Sequence, residues 1–128
     1  MNREIVIKFT ALTELIIGLT TLTSLLVISV LPSPLKPFNV FIFVLISSIS
    51  SSIIGLGLFA YREWARKTIL LFSAYILLTK VLIFLKLLHF EGEIISFIPT
   101  SLKDIISFLY HSWILLFFSR KSVKNIFI

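Results

Sequence analysis

The run FTALTELIIGLTTLTSLLVISVL, residues 9–31, leads straight into Pro32-Ser33-Pro34-Leu35-Lys36-Pro37 and then into a second apolar run, residues 38–60. Helical residues rise 1.5 Å each, so the first run reaches about 34 Å. That is enough to cross the roughly 30 Å hydrocarbon core of a bilayer with some tilt. Three prolines remove backbone donors and stop the helix. So short a connection makes the second run an antiparallel neighbour of the first. A cleavable signal peptide would have a shorter apolar region and a small-x-small site ahead of the prolines. Neither is present, so the run is expected to remain as a span.

Composition carries the reading to the whole chain. Of 128 residues 58% are hydrophobic, and the mean hydropathy is +1.08, above the range of soluble domains. A chain this short buries too little surface to hide them all, so lipid must solvate the remainder. Two further spans follow. Residues 68–88 contain Lys80 and Lys86 and give way to His89-Phe90-Glu91-Gly92-Glu93; residues 94–98, before Pro99, are too short to cross. The last run, residues 102–118, opens with Ser101 as a cap and Asp104 three positions on, where a carboxylate meets the positive end of the helix dipole. The expected fold is therefore all-α: one domain, an up-down-up-down bundle of four transmembrane helices.

The basic residues orient that bundle. Arg3 and Lys8 precede the first span, Arg62, Arg66 and Lys67 fall in the second loop, and Arg120, Lys121 and Lys124 follow the fourth. The other side has only Lys36 and Lys103 in its loops, with Glu91, Glu93 and Asp104. By the positive-inside rule both termini are expected in the cytoplasm, in a multi-pass protein of the inner membrane. So strong a bias argues against insertion in two opposite orientations. The same placement makes the net charge of +6 a topology signal, and no nucleic acid is expected as a partner.

Several function classes drop out. Without cysteine there is no thiolate metal site, no iron–sulfur cluster and no covalent c-type haem. His-Glu-x-x-His, Gly-x-Ser-x-Gly and a phosphate-cradling glycine loop are all missing. His89 and His111 lie at different depths, which argues against a bis-histidine haem. No metal, no cofactor and no enzymatic activity are expected.

What remains is polar residues at membrane depth, where each ionisable group costs about 2.5–3.5 kcal/mol on insertion scales. Glu14, Lys80 and His111 are candidates for a buried cluster ringed by serine hydroxyls. Glu14 lies about 10 Å nearer the cytoplasm than Lys80 before side-chain reach is counted, and Lys80 can lean toward it for a direct or water-bridged pair. Ser73 lies one heptad before Lys80; Asp104, Ser107 and His111 form one stripe. Gly18 shares a face with Ala11 and Glu14, and Ser47, Ser51 and Gly55 make a small-xxx-small row. Gly18, Ser47, Ser51 and Gly55 are the expected helix-packing positions. Lys86 is expected to snorkel to the headgroups. The plainer reading of the polar groups is interhelical glue, at about 0.6 kcal/mol per hydrogen bond.

Two resemblances bear on function. Gly55-Leu56-Gly57-Leu58-Phe59-Ala60-Tyr61-Arg62-Glu63-Trp64-Ala65-Arg66-Lys67, with the ending Ser122-Val123-Lys124 and Phe127, resembles small uncharacterised four-helix bacterial membrane proteins. That group implies a fold and no activity. Glu14-Leu15-Ile16-Ile17-Gly18-Leu19-Thr20-Thr21 is similar to the first-helix motif of the small multidrug resistance transporters. That resemblance implies that Glu14 exchanges protons for cationic drug. The third span departs from that family: it has no tryptophan and no glycine motif, and carries Lys80 and Lys86. The leading expectation is a non-enzymatic accessory or structural subunit, partnered by the bilayer and by other membrane helices, of this chain or another. A small proton-coupled carrier using Glu14, Lys80 and His111 is the alternative, and a membrane-embedded enzyme or quinone-binding component comes third.

Overall fold

The computed structural model describes residues 2–30, 38–87 and 100–128. The proline turn with Lys36, the His89, Glu91 and Glu93 stretch, residues 94–98 and Pro99 lie outside the described residues. Among the described residues five helices form: α1 (Arg3–Val30), α2 (Phe38–Phe59), α3 (Glu63–Phe84), α4 (Thr100–Phe118) and the short α5 (Lys121–Lys124). There is no strand among the described residues. The first four are each long and apolar enough to cross a membrane. The fold is an all-α four-helix bundle.

Local chemistry sets the helix ends and moves three of them from where hydropathy puts them. α1 begins six residues before the apolar run because Asn2 caps it, its Oδ1 accepting the Glu4 N–H at 3.1 Å. At 28 residues it is about 42 Å long, so its first turns extend past the hydrocarbon. α3 also starts early. The segment expected as a loop from Tyr61 to Lys67 is only a tight corner, and Trp64, Ala65, Arg66 and Lys67 already belong to the helix. The corner works because Tyr61 adopts a left-handed φ of 49°, letting the Arg62 N–H reach the Gly57 carbonyl at 3.0 Å and the Tyr61 N–H reach that of Leu58. α3 ends the same way, four residues short of the expected position: Lys86 has a φ of 58°, and the Leu87 N–H closes on the Leu82 carbonyl at 2.9 Å. Lys86 is thus beyond the helix, exposed, at a position that usually takes glycine.

The apolar core sits at one end of the bundle. Val6 and Ile7 of α1 pack with Ile54 and Leu58 of α2, Ala65 and Ile69 of α3, Ile114 and Phe118 of α4, and Val123 of α5. This is the end to which Arg3, Arg62 and Arg120 belong, and it is called the basic end below. All along the bundle the helices expose large apolar side chains outward, such as Ile16, Leu71, Leu78, Leu109 and Leu116. A water-soluble protein does not tolerate so continuous an apolar exterior.

α1 and α2 touch most closely. A Cβ on Gly18 would stand 2.7 Å from both the Ser48 carbonyl oxygen and the Ser52 nitrogen, and one on Gly55 would stand 2.9 Å from the Ala11 carbonyl oxygen. Ser51 and Gly55 are buried against α1, and Ser47 is half-buried. The small-residue row therefore closes the chain's own first hairpin instead of lying open to another protein.

Candidate functional site: a buried carboxylate and a polar seam

Glu14 is placed by the packing just described. Ala11 and Gly18, one turn to either side of it, bring α2 up against α1, and its side chain is left 2% exposed. A carboxylate removed from water needs hydrogen-bond donors. Among the described residues it has two, from two different helices. The Ser51 hydroxyl of α2 donates to Oε2 and also lies 2.9 Å from the Glu14 main-chain carbonyl. The Tyr110 hydroxyl of α4 donates to Oε1 at 2.7 Å. One acidic side chain thus ties three helices together.

The α3–α4 contact has its own pattern. Arg66, Ser73 and Lys80 follow one another at intervals of seven, and each meets a group on α4 that is also one of a seven-residue series running the opposite way. At the basic end Arg66, 7% exposed, donates from Nη1 to the Phe118 carbonyl at 3.0 Å. Its Nε and Nη2 grip both oxygens of Glu63 at 2.7 and 2.6 Å. In the middle the fully buried Ser73 hydroxyl lies 3.1 Å from His111 Nδ1. At the far end Lys80 pairs with Asp104. A seven-residue repeat keeps facing positions aligned when two helices cross at the shallow left-handed angle of coiled coils. The three rungs are an antiparallel polar version of such a seam.

Of the three residues expected to cluster, the structure brings two near each other. Tyr110 lies between them, its hydroxyl on Glu14 and its ring edge-on to His111 with centroids 5.2 Å apart. Phe72 closes the other side of the imidazole at 6.1 Å. Lys80 goes to Asp104. The physical reason is depth: Lys80 is nearly five turns along α3, while Asp104, near the start of antiparallel α4, lies directly across from it.

Sequence alone does not give Tyr110, Asp104 and Arg66 these roles. Tyr110 is a phenol in mid-span beside a histidine, and its hydroxyl needs a partner. Asp104 reads as a helix-start residue. Arg66 reads as a loop charge, whereas it is a buried clasp on the last carbonyl of α4, where a cation also complements the helix dipole. The heptad match between the two stripes was the available signal. Among the described residues no group of three or more acidic or histidine side chains could hold a metal ion.

Four apolar spans around internally paired polar groups define a multi-pass integral membrane protein. Comparisons with protein-family models, curated proteins and solved structures find no match to this chain.

Proposed function

We propose that this protein is a non-enzymatic accessory or structural subunit of a larger assembly in the inner membrane, with the basic end on the cytoplasmic side. The observation that supports it is the pairing inside the bundle. Glu14, Lys80 and His111 each have a partner within the chain, and the α3–α4 rungs repeat every seven residues. Polar groups so arranged fix helix register, the best-attested use of buried polar pairs. With the small-residue row turned inward, contact with another subunit falls to the outward apolar faces or to the ends. The orientation follows from the excess of Lys and Arg at one end. Mild-detergent extraction from the native membrane, then a native gel and mass spectrometry, tests the subunit reading: it is expected to travel with other membrane proteins. Recovery only as monomer or homodimer counts against it.

One observation favours the carrier reading in second place. Glu14 is a carboxylate held at membrane depth by donors on two other helices, so its protonation acts on the contacts among all three. In proteoliposomes with an imposed pH gradient and an entrapped pH-sensitive dye, this reading requires proton flux through wild type and its loss in Glu14→Gln. Equal dye traces from wild type, Glu14→Gln and empty vesicles remove it.

A further inference from the structure

The basic end carries eight of the twelve basic residues and only two of the six acidic ones, Glu4 and Glu63. The chain's whole net charge of +6 therefore resides there, and the rest of the sequence sums to neutral. One of the two acids is already taken, since both oxygens of Glu63 are held by Arg66. Arg62, Lys67, Arg120, Lys121 and Lys124 remain exposed.

Backbone bonds hold these five together. The Ile128 N–H donates to the Tyr61 carbonyl at 2.9 Å, and the Glu63 N–H donates back to the Ile128 carbonyl at 2.9 Å. The second bond satisfies one of the open donors at the start of α3, where Arg62 gives no side-chain cap. Val123 is buried, and Phe127 packs with its ring centroid 6.2 Å from that of Tyr61 and 6.1 Å from that of Phe118. Lys121 and Lys124 are thus fixed beside the α2–α3 corner. Lys67 and Lys124 both lie near enough to act electrostatically on Glu63. At the same level Trp64, half exposed, lies across Gly57, as aromatic side chains do at a headgroup layer.

We propose that the docked segment from Arg120 to Ile128 and the α2–α3 corner together form a binding surface for anionic phospholipid headgroups. Exposed apolar side chains such as Leu71 and Leu116 begin about one turn from Lys67 and Arg120. The first anions the surface meets are therefore the phosphates of the adjoining leaflet, which attract basic residues over a Debye length. Nothing here depends on the subunit or carrier reading, or on which leaflet is meant.

The test uses the full chain in nanodiscs of phosphatidylcholine mixed with phosphatidylglycerol, with native mass spectrometry counting the lipids retained. Wild type is expected to hold phosphatidylglycerol enriched at least about threefold over the bulk ratio. The enrichment should fall as salt rises from about 50 to about 500 mM. Replacing Arg62, Lys67, Arg120, Lys121 and Lys124 by Gln should return it to the bulk ratio, while Lys67→Arg, Lys121→Arg and Lys124→Arg together should preserve it. Retention at the bulk ratio in wild type overturns the proposal, as does unchanged enrichment in the Gln variant. Loss of enrichment to inorganic phosphate at constant ionic strength assigns the surface to a soluble anion and also overturns it. Should the Gln variant not fold, the salt series on wild type decides: enrichment indifferent to salt rejects the surface.

Discussion

Single positions carry the sharpest energetic consequences. Lys86 holds a left-handed conformation that costs an L-residue about 1 kcal/mol relative to glycine, and its side chain is exposed. Lys86→Gly should therefore stabilise the protein by about 0.5–1 kcal/mol, read as a higher midpoint of unfolding in detergent. Gly18→Ala should do the reverse. The added carbon meets main-chain atoms of α2, which cannot rotate away, so α1 and α2 must separate at about 2 kcal/mol or more. Arg66→Lys keeps the charge but not the fork that reaches Glu63 twice and Phe118 once; a loss of about 2 kcal/mol is expected by the same measurement. These residues also mark how far the sequence could be read. Gly18 and Gly55 declare a close approach by their size alone, but size does not name the neighbour. Lys86 gives no hint that a helix stops there, because hydropathy runs on through Leu87 and Leu88 while the backbone turns.

For the elements, the α3–α4 seam makes a claim that no single residue does: the partner matters more than the residue type. Lys80→Asp alone sets two carboxylates against each other at the Asp104 rung and should lower stability; Lys80→Asp with Asp104→Lys should recover most of that loss. Both groups are partly exposed, so the effect is modest, about 0.5–1 kcal/mol. A double-mutant cycle with no coupling would show that the rung is a bystander. Half of this seam was visible beforehand, in Ser73 one heptad before Lys80 and in the stripe from Asp104 to His111. What hydropathy lacked was the offset between the helices. That offset appears only where α3 packs on α4, at the Arg66, Ser73 and Lys80 rungs, and the hydropathy of either helix taken alone does not contain it. Depth counted along separate helices therefore paired Lys80 with Glu14, when an oppositely running neighbour offered Asp104.

At the scale of the whole molecule, length and composition were sufficient for the fold class, because an apolar exterior on four helices has only one solvent available. They were not sufficient for the basic end, where residues 119–128 fold back. A tail rich in lysine reads as solvated, and the backbone pairing of residue 128 with Tyr61 and Glu63 leaves no trace in residue type. The arrangement predicts a simple accessibility pattern, and the absence of cysteine gives a clean background for measuring it. Single variants Arg62→Cys, Lys121→Cys and Lys103→Cys each place a thiol on an exposed or half-exposed position. A membrane-impermeant maleimide added to sealed inverted vesicles should label the first two and spare the third, and right-side-out cells should give the opposite. The agreement of Arg62 with Lys121 tests the even number of crossings between them, and the side on which they react tests the orientation drawn from the charges. If Arg62 and Lys121 react from opposite faces, the four-span bundle itself is wrong; if they react together but from outside, only the orientation is.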